Sequence, residues 1–232
     1  MALLSCAKER AVSMPAALCS CLSRNRKTLR SIDLSTICPN LLAGKPCVYC
    51  YVEAARRAGR QGKLMHDRVP YRGEIKRLRE PTVARLNGCG GARLFAFGDY
   101  FTWMDDDLAA ICDDADARRL ALKAITKQPE FVHRWHDRMR VINVSVDNVG
   151  CGVEWNVARE LRERYPNVLV RAAIMRMEDL DALSWVDIVT LNHACNGFKL
   201  FSAAEKEYVA SNWPMKVCCL TGSCENCLIK CG

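Results

Sequence analysis

Residues 37–51 read Ile-Cys-Pro-Asn-Leu-Leu-Ala-Gly-Lys-Pro-Cys-Val-Tyr-Cys-Tyr. Residues 31–37 predict a strand that leads into this segment, and residues 51–57 predict a helix that follows it. Thiolates on a loop at the carboxyl end of a strand suit a soft metal centre. Three ligands leave one metal position open, which favours chemistry over a purely structural role. The three cysteines, spaced C-x8-C-x2-C, are Cys38, Cys47 and Cys50.

The alternation of strand and helix continues along the chain. Further strands are predicted at 93–99, 120–127, 141–147, 168–175 and 186–191, and helices at 74–86, 105–118, 129–138 and 154–165. Proline disfavours helix in the residue before it, so helix 74–86 is expected to be interrupted or to restart near Pro81. Six apolar strands alternating with helices predict an α/β fold with a parallel sheet. Periodicity leaves open a doubly wound sheet and a partial (β/α)6 barrel, and both place the site at the carboxyl ends of the strands.

Composition and length bound the class of protein. The chain has 232 residues and 50% hydrophobic content, which is enough for one sizeable core. No run of 18 apolar residues is present, and charges appear by Lys8, too early for a secretory signal. We therefore expect a cytoplasmic protein that does not enter a membrane. Fifteen cysteines in such a chain indicate metal-bound thiolates and not disulfides.

Positive charge is concentrated in one part of the chain. Residues 54–93 carry eleven Lys or Arg and three Asp or Glu, an excess equal to the +8 of the whole chain. Such a patch attracts phosphates and is compatible with a nucleic-acid partner. The other interpretation is a solvated basic helix face that keeps the protein in solution.

The segment Cys47-Val48-Tyr49-Cys50-Tyr51 resembles half of the cluster loop of the radical S-adenosylmethionine (radical SAM) superfamily. In that family an aromatic residue, here Tyr49, precedes the last cysteine. The usual spacing is C-x3-C-x2-C, so the first gap here is longer. Residues 125–130, Ile-Thr-Lys-Gln-Pro-Glu, are similar to a Thr-Lys-x-Pro-Glu segment of radical SAM-like proteins encoded by bacteriophages, whose reaction is unassigned. The resemblance to those phage proteins covers roughly residues 31–231.

This resemblance implies a partial (β/α)6 TIM-like barrel (31–200) and a Cys-rich tail (201–232), and the unmatched residues 1–30 are expected to form an N-terminal extension. It implies that the three loop cysteines hold a [4Fe-4S] cluster whose fourth iron binds SAM. A donor such as flavodoxin or ferredoxin would reduce the cluster, SAM would be cleaved reductively, and a 5′-deoxyadenosyl radical would take hydrogen from a substrate. The substrate is unidentified, and the basic patch favours nucleic acid or a nucleotide.

Polar residues near the predicted strand ends are the candidates for binding SAM. Gly98-Asp99 resembles the glycine–acid motif that binds the SAM amino group in the family. The alternatives are that Asp99 caps the next loop, that Asp147 caps a helix, and that Lys127 is a surface lysine. Arg171 lies inside a predicted strand, where a charged side chain must face a polar cavity or a partner. The cofactor-binding candidates are Tyr49, Gly98, Asp99, Lys127, Ser145, Asp147 and Arg171.

The tail and the charge also support a different class of function. The five tail cysteines predict a metal site, either a structural zinc site or a second [4Fe-4S] cluster, and spacing does not distinguish them. With two Cys-rich zinc or Fe–S sites and a basic surface, the chain would be a non-enzymatic nucleic-acid-binding protein. That alternative does not explain polar residues at the strand ends. The tail ligands are Cys218, Cys219, Cys224, Cys227 and Cys231.

Overall fold

The fold is α/β and is built on one eight-stranded sheet. The computed structural model describes residues 21–25, 29–44, 47, 68–96, 98–147, 152–191, 201–213 and 216–217. The strands are β1 (Leu22–Asn25), β2 (Leu29–Ile32), β3 (Ala92–Leu94), β4 (Leu122–Thr126), β5 (Val141–Asp147), β6 (Val168–Ile174), β7 (Ile188–Leu191) and β8 (Lys216–Val217). The helices are α1 (Pro39–Leu42), α2 (Glu80–Gly88), α3 (Asp105–Ala117), α4 (Pro129–Trp135), α5 (Trp155–Arg164) and α6 (Ala203–Asn212). Within the described residues, no helix is long and apolar enough to cross a lipid bilayer.

The strands lie in the sheet in the order in which they occur in the chain. β1 and β2 form an antiparallel hairpin, and every later neighbouring pair is parallel. A doubly wound sheet needs a point at which the strand order reverses. The sequential order of the described strands therefore excludes the doubly wound alternative and is compatible with a partial barrel. The sheet is open, because β1 and β8 are its two edges and do not pair with each other in the described part of the chain.

One face of the sheet, which we call the core face, packs against the helices. Side chains alternate between faces along each strand, so residues of one parity and their register partners share a face. The core face is apolar, and its residues belong to one hydrophobic cluster with Leu86, Leu108, Phe131 and Leu161 of the helices. Its buried members include Ile32, Leu94, Leu122, Ala124, Ile142, Val144, Val170, Ala172, Val189 and Leu191.

The opposite face, which we call the polar face, carries hydroxyl, amide and cationic side chains. Its apolar residues Ala173 and Ile188 are buried, yet they lie outside the cluster that joins the helices to the core face. Buried polar groups need hydrogen-bond partners, and Lys123 Nζ donates to the carbonyl oxygen of Cys89 at 2.8 Å. The polar members of this face are Ser31, Arg93, Lys123, Asn143, Ser145, Arg171 and Thr190.

The first two predicted strands end earlier than the sequence suggests. The strand predicted at 31–37 ends at Ile32, and the strand predicted at 93–99 ends at Leu94. The Ser35 hydroxyl accepts from Ile37 N (3.0 Å) and lies 3.2 Å from the Ile37 carbonyl oxygen, so local hydrogen bonds replace the ladder there. After Leu94, Phe95 takes a left-handed φ of 59°, which turns the chain out of the sheet.

The remaining predicted elements agree more closely. The prediction of a helix over residues 74–86 is wrong in its first half, because α2 begins at Glu80. The predicted restart near Pro81 is confirmed, since Pro81 lies in the first turn of α2. The predicted strands at 120–127, 141–147, 168–175 and 186–191 and the helices between them are confirmed to within a few residues. Strands β1 and β8 are additions that the residue pattern does not reveal. The helix predicted at 51–57 lies outside the described residues.

Candidate functional site

The loops that follow β2 and β3 touch at the carboxyl edge of the sheet. Gly98 has a left-handed φ of 69°. A Cβ at this position would lie 2.5 Å from the carbonyl oxygen of Ser35 and 2.6 Å from that of Ile37, much closer than a real Cβ contact. Glycine is therefore required both for the turn and for the close approach of the two loops. This approach places Gly98 against the segment that leads directly into Cys38.

Asp99 joins the loop that follows β3 to the end of β4. Its Oδ1 accepts hydrogen bonds from Tyr100 N (2.8 Å) and from the Thr126 hydroxyl (2.6 Å), and its Oδ2 accepts one from Lys127 N (2.8 Å). The side chain is buried. Burial raises the pKa of Asp99 to about 6, although the three hydrogen bonds and the Lys127 charge oppose that increase.

The side chain of Lys127 reaches from the end of β4 to the cysteine loop. Its Nζ donates to Cys47 Sγ at 2.8 Å across 80 residues of sequence. The backbone beside it is fixed as well, because Gln128 N donates to the Thr126 hydroxyl at 2.9 Å. The predicted residues Cys47, Asp99 and Lys127 therefore form one continuous set of contacts.

Cys38 directly follows the segment that Gly98 approaches. It caps the one-turn helix α1, and its sulfur accepts a hydrogen bond from Leu41 N at 3.4 Å. Cys38 and Cys47 are both partly exposed, and neither is joined in a disulfide within the part of the chain that the structure describes. Accessible cysteine sulfurs are the donors that an iron–sulfur cluster uses, so these two side chains fit such a group.

The rest of the predicted ligand set lies outside the described residues. This applies to Cys50, to Tyr49 and to all five tail cysteines. Within the described ranges, no three His, Cys, Asp or Glu side chains are grouped as metal ligands. The cluster site of three cysteines therefore stays a prediction. The structure describes two of the three residues, Cys38 and Cys47.

The remaining candidates lie on β5 and β6. Ser145 is buried and is the register partner of Arg171 on the neighbouring strand. Arg171 Nε donates to the hydroxyl of Thr190 on β7 at 2.7 Å. Asp147 is the last residue of β5, and its side chain is outside the described part. These residues place a guanidinium and two hydroxyls on the polar face of three adjacent strands.

Sequence reasoning assigned no site role to several polar residues that the structure makes part of this region, although it noted Thr126 within the Thr-Lys-x-Pro-Glu segment. Thr126 and Thr190 each hold a predicted site residue in place, and Lys123 is a buried cation of the polar face. No comparable signal marks β4 or β7, whereas β5 reads Val-Ile-Asn-Val-Ser-Val-Asp and alternates polar with apolar residues. That period of two predicts one polar face and one apolar face.

Comparisons of this chain with protein-family models, with curated proteins and with solved structures found no match. The functional proposal therefore depends on the residues of this chain and on their geometry.

Proposed function

We propose that this protein is a radical SAM enzyme in which Cys38, Cys47 and Cys50 hold a [4Fe-4S] cluster. The observation that carries the proposal is the convergence of the cysteine loop, Asp99 and Lys127 at the ends of β2, β3 and β4. Parallel α/β sheets bind ligands at this edge. The sequential strand order supports the partial TIM-like barrel that the resemblance to radical SAM proteins implies.

Different residues of the chain would hold the cluster and bind SAM in this reaction. A reduced cluster would supply one electron to the sulfonium of SAM, so that the C–S bond breaks into methionine and a 5′-deoxyadenosyl radical that takes hydrogen from the substrate. Asp99 uses three of about four acceptor positions of its carboxylate, which leaves one for the SAM ammonium group beside the Gly98 backbone. Arg171, oriented by Thr190, would bind a carboxylate of SAM or an anionic part of the substrate. Flavodoxin or ferredoxin is the expected class of electron donor.

The charges of the described residues favour an anionic substrate such as a nucleotide or nucleic acid. The polar face carries the cations Arg93, Lys123 and Arg171. Exposed basic residues on the outside add to this field, although helix α3 neutralises part of it through the Arg68–Asp107 (4.0 Å) and Lys76–Asp114 (3.1 Å) ion pairs. The other exposed basic residues nearby are Arg72, Arg77, Arg79 and Arg85.

The Cys-rich tail supplies a second metal centre in this proposal. Cys218 or Cys219, with Cys224, Cys227 and Cys231, would hold either zinc or a second [4Fe-4S] cluster. Four thiolates in a closed set would serve structure or electron transfer and not SAM cleavage.

Anaerobic reconstitution with iron and sulfide, followed by EPR of the reduced protein with and without SAM, tests the proposal. We expect a [4Fe-4S]⁺ signal that changes shape on addition of SAM. A variant with Cys38→Ala, Cys47→Ala and Cys50→Ala should lose the SAM-responsive signal, whatever the tail binds. The matched control is Cys112→Ala, which removes a buried thiol of α3 and should keep the signal. A cluster that is indifferent to SAM would contradict the proposal.

The second candidate is a nucleic-acid-binding module, which the exposed basic residues of the segment 68–85 favour. In that case the reconstituted protein should contain zinc without iron. It should also bind a polyanion such as heparin or RNA with a strong dependence on salt, because binding would release counterions. Loss of binding in an Arg72→Ala, Arg77→Ala, Arg79→Ala variant together with zinc-only metal content would establish this alternative over the enzyme.

A further inference from the structure

We propose that Lys127 is a positioning residue that donates a hydrogen bond to a cluster-ligating sulfur and raises the reduction potential of the cluster. This inference rests on the proposed function. It assigns Lys127 to the sulfur of Cys47 in place of a role at SAM or at the protein surface. The geometry behind it is the 2.8 Å contact between Lys127 Nζ and Cys47 Sγ.

The backbone of Lys127 is fixed by hydrogen bonds that do not involve its side chain. Its N–H donates to Asp99 Oδ2, and the preceding Thr126 hydroxyl donates to Asp99 Oδ1. Asp99 is itself buried in the loop that follows β3. The Cα of Lys127 is therefore fixed relative to two strands, so that its side chain has one well-defined starting point at the edge of the sheet.

From that point the ammonium group extends toward the cysteine loop. The carboxylate of Asp99 already receives hydrogen bonds from two backbone N–H groups and a hydroxyl. The Lys127 charge acts on Asp99 through space, where it lowers the pKa of that carboxyl against the effect of burial. Its Nζ donates a direct hydrogen bond to the sulfur of Cys47.

The effect on an iron–sulfur cluster follows from charge. Reduction adds one electron to a cluster whose thiolate ligands are already negative. A cation that donates an N–H···S hydrogen bond stabilises the more negative, reduced state more than the oxidised state, and hydrogen bonds to the sulfurs are among the features that set these potentials. At a partly buried site the interaction is weakened less by water than it would be at the surface. Lys127 should therefore make the cluster easier to reduce by a protein donor.

The test is an EPR-monitored redox titration of the full-length reconstituted protein. Lys127→Met keeps an unbranched side chain but removes the charge and the donors, and we expect its midpoint potential to shift to more negative values. Lys127→Arg keeps the charge and N–H donors and should stay closer to the wild type. The control is Lys76→Met, which removes the same charge from an exposed lysine paired with Asp114 and should leave the potential unchanged.

Iron content and circular dichroism of each variant accompany the titration. Equal potentials in wild type and Lys127→Met, at equal iron content, would overturn the inference. An equal shift in Lys76→Met would overturn it too, since the effect would then belong to total charge. If Lys127→Met folds but holds no cluster, Lys127→Arg decides: a cluster near the wild-type potential supports the role, and loss of the cluster contradicts it.

Failure of this inference is distinguishable from failure of the proposed function. A potential that depends on Lys127, in a protein whose cluster ignores SAM, would leave the inference standing and remove the enzyme assignment. A SAM-responsive cluster whose potential ignores Lys127 would do the reverse. A wild-type protein that assembles no cluster at all would overturn both.

Discussion

The core face and the polar face of the sheet both contain fully buried side chains, but these side chains differ in chemistry. Ile142 on the core face and Lys123 on the polar face are both 0% exposed. Ile142 belongs to the hydrophobic cluster of the sheet and helices, whereas Lys123 is held by a hydrogen bond to the Cys89 carbonyl oxygen. Burial alone therefore does not identify the core of this protein. The core face contributes apolar burial to stability, whereas Lys123 and Arg171 of the polar face are held by specific hydrogen bonds.

Topology explains why the faces differ. Parallel strands in sequential order, joined by right-handed crossovers, place their connecting helices on the same side of the sheet. The core face then receives the apolar stripes of those helices, which is the main source of favourable burial. The opposite face is left for polar side chains.

The largest expected effect comes from adding a carboxylate to each face of β5. Val144→Asp places an unpaired charge among apolar residues and should lower the free energy of unfolding by about 4 kcal/mol or more. Ser145→Asp places the same group on the polar face, in register with Arg171, and should cost at least about 2 kcal/mol less. Urea denaturation followed by circular dichroism measures both. Equal losses of unfolding free energy in the two variants would contradict the distinction between the core face and the polar face.

A second comparison separates close backbone approach from the cost of a left-handed φ. Gly98→Ala should destabilise by about 2–4 kcal/mol, because its Cβ would meet two carbonyl oxygens of the loop before Cys38. Gly44→Ala is the matched control, since Gly44 has a φ of 70° and nothing within 4 Å of the added Cβ. It should cost only about 1–2 kcal/mol. Thermal denaturation of the two variants gives the difference.

Similar losses in the two glycine variants would mean that the contact between the β2 and β3 loops is unimportant for folding. The iron content of Gly98→Ala after reconstitution sharpens the result. Displacement of the Cys38 loop should lower that content, and Gly44→Ala should retain more of it.

Asp99 should also make the free energy of unfolding depend on pH. The apolar side chains of the core face do not titrate and cannot have this effect. The folded pKa of Asp99, about 6, lies above its ordinary 3.8, so the folded state binds the proton more tightly. This contribution is present below about pH 4 and is lost as pH rises through 6. Relative to Asp99→Asn, which does not titrate, the wild type should therefore lose up to about 3 kcal/mol between pH 4 and pH 7.

Denaturation at several pH values provides the measurement. The core-face variant Val189→Thr serves as control, and its difference from the wild type should stay constant over the same range. A constant difference for Asp99→Asn as well would show that Asp99 is ionised normally in the folded protein.

The smallest effect comes from exchanging hydroxyl and methyl groups in β7. Thr190→Val removes the acceptor of Arg171 Nε and should cost about 1 kcal/mol. Val189→Thr buries a hydroxyl in the core face and should cost about 1–3 kcal/mol. The two variants make reciprocal exchanges of valine and threonine at neighbouring positions on opposite faces of the sheet. Each loss of stability therefore reports whether its face favours the hydroxyl or the methyl group. A stabilising effect of Val189→Thr would contradict the description of the core face.

Much of the architecture could be predicted from local pattern. The strand Val141–Asp147 is predicted with its observed bounds, because apolar β-branched residues alternate with polar ones between turn signals. Predictions failed where side chains intervene locally. Beyond the end of β2, Ser35 makes local hydrogen bonds with Ile37 where a strand was predicted. The left-handed φ of Phe95 ends β3, although its sequence continues to favour a strand.

The candidate site was predictable in part for a related reason. Gly98, Asp99 and Lys127 follow apolar runs, and parallel strands gather their carboxyl ends at one edge. Their exact contacts were not predictable, because Asp99 depends on Thr126 and Lys127, and Lys127 depends on Cys47, which lies 80 residues earlier.

The sequence by itself determined the α/β class, the positions of most strands and the residues at their ends, because these depend on local periodicity and on turn-forming residues. Only the tertiary structure decided the order of the strands, the division into a core face and a polar face, and the contact of Lys127 with Cys47. These features depend on pairing and packing between segments far apart in the chain, where the stabilising energy is shared among many residues and no single stretch of sequence specifies the outcome.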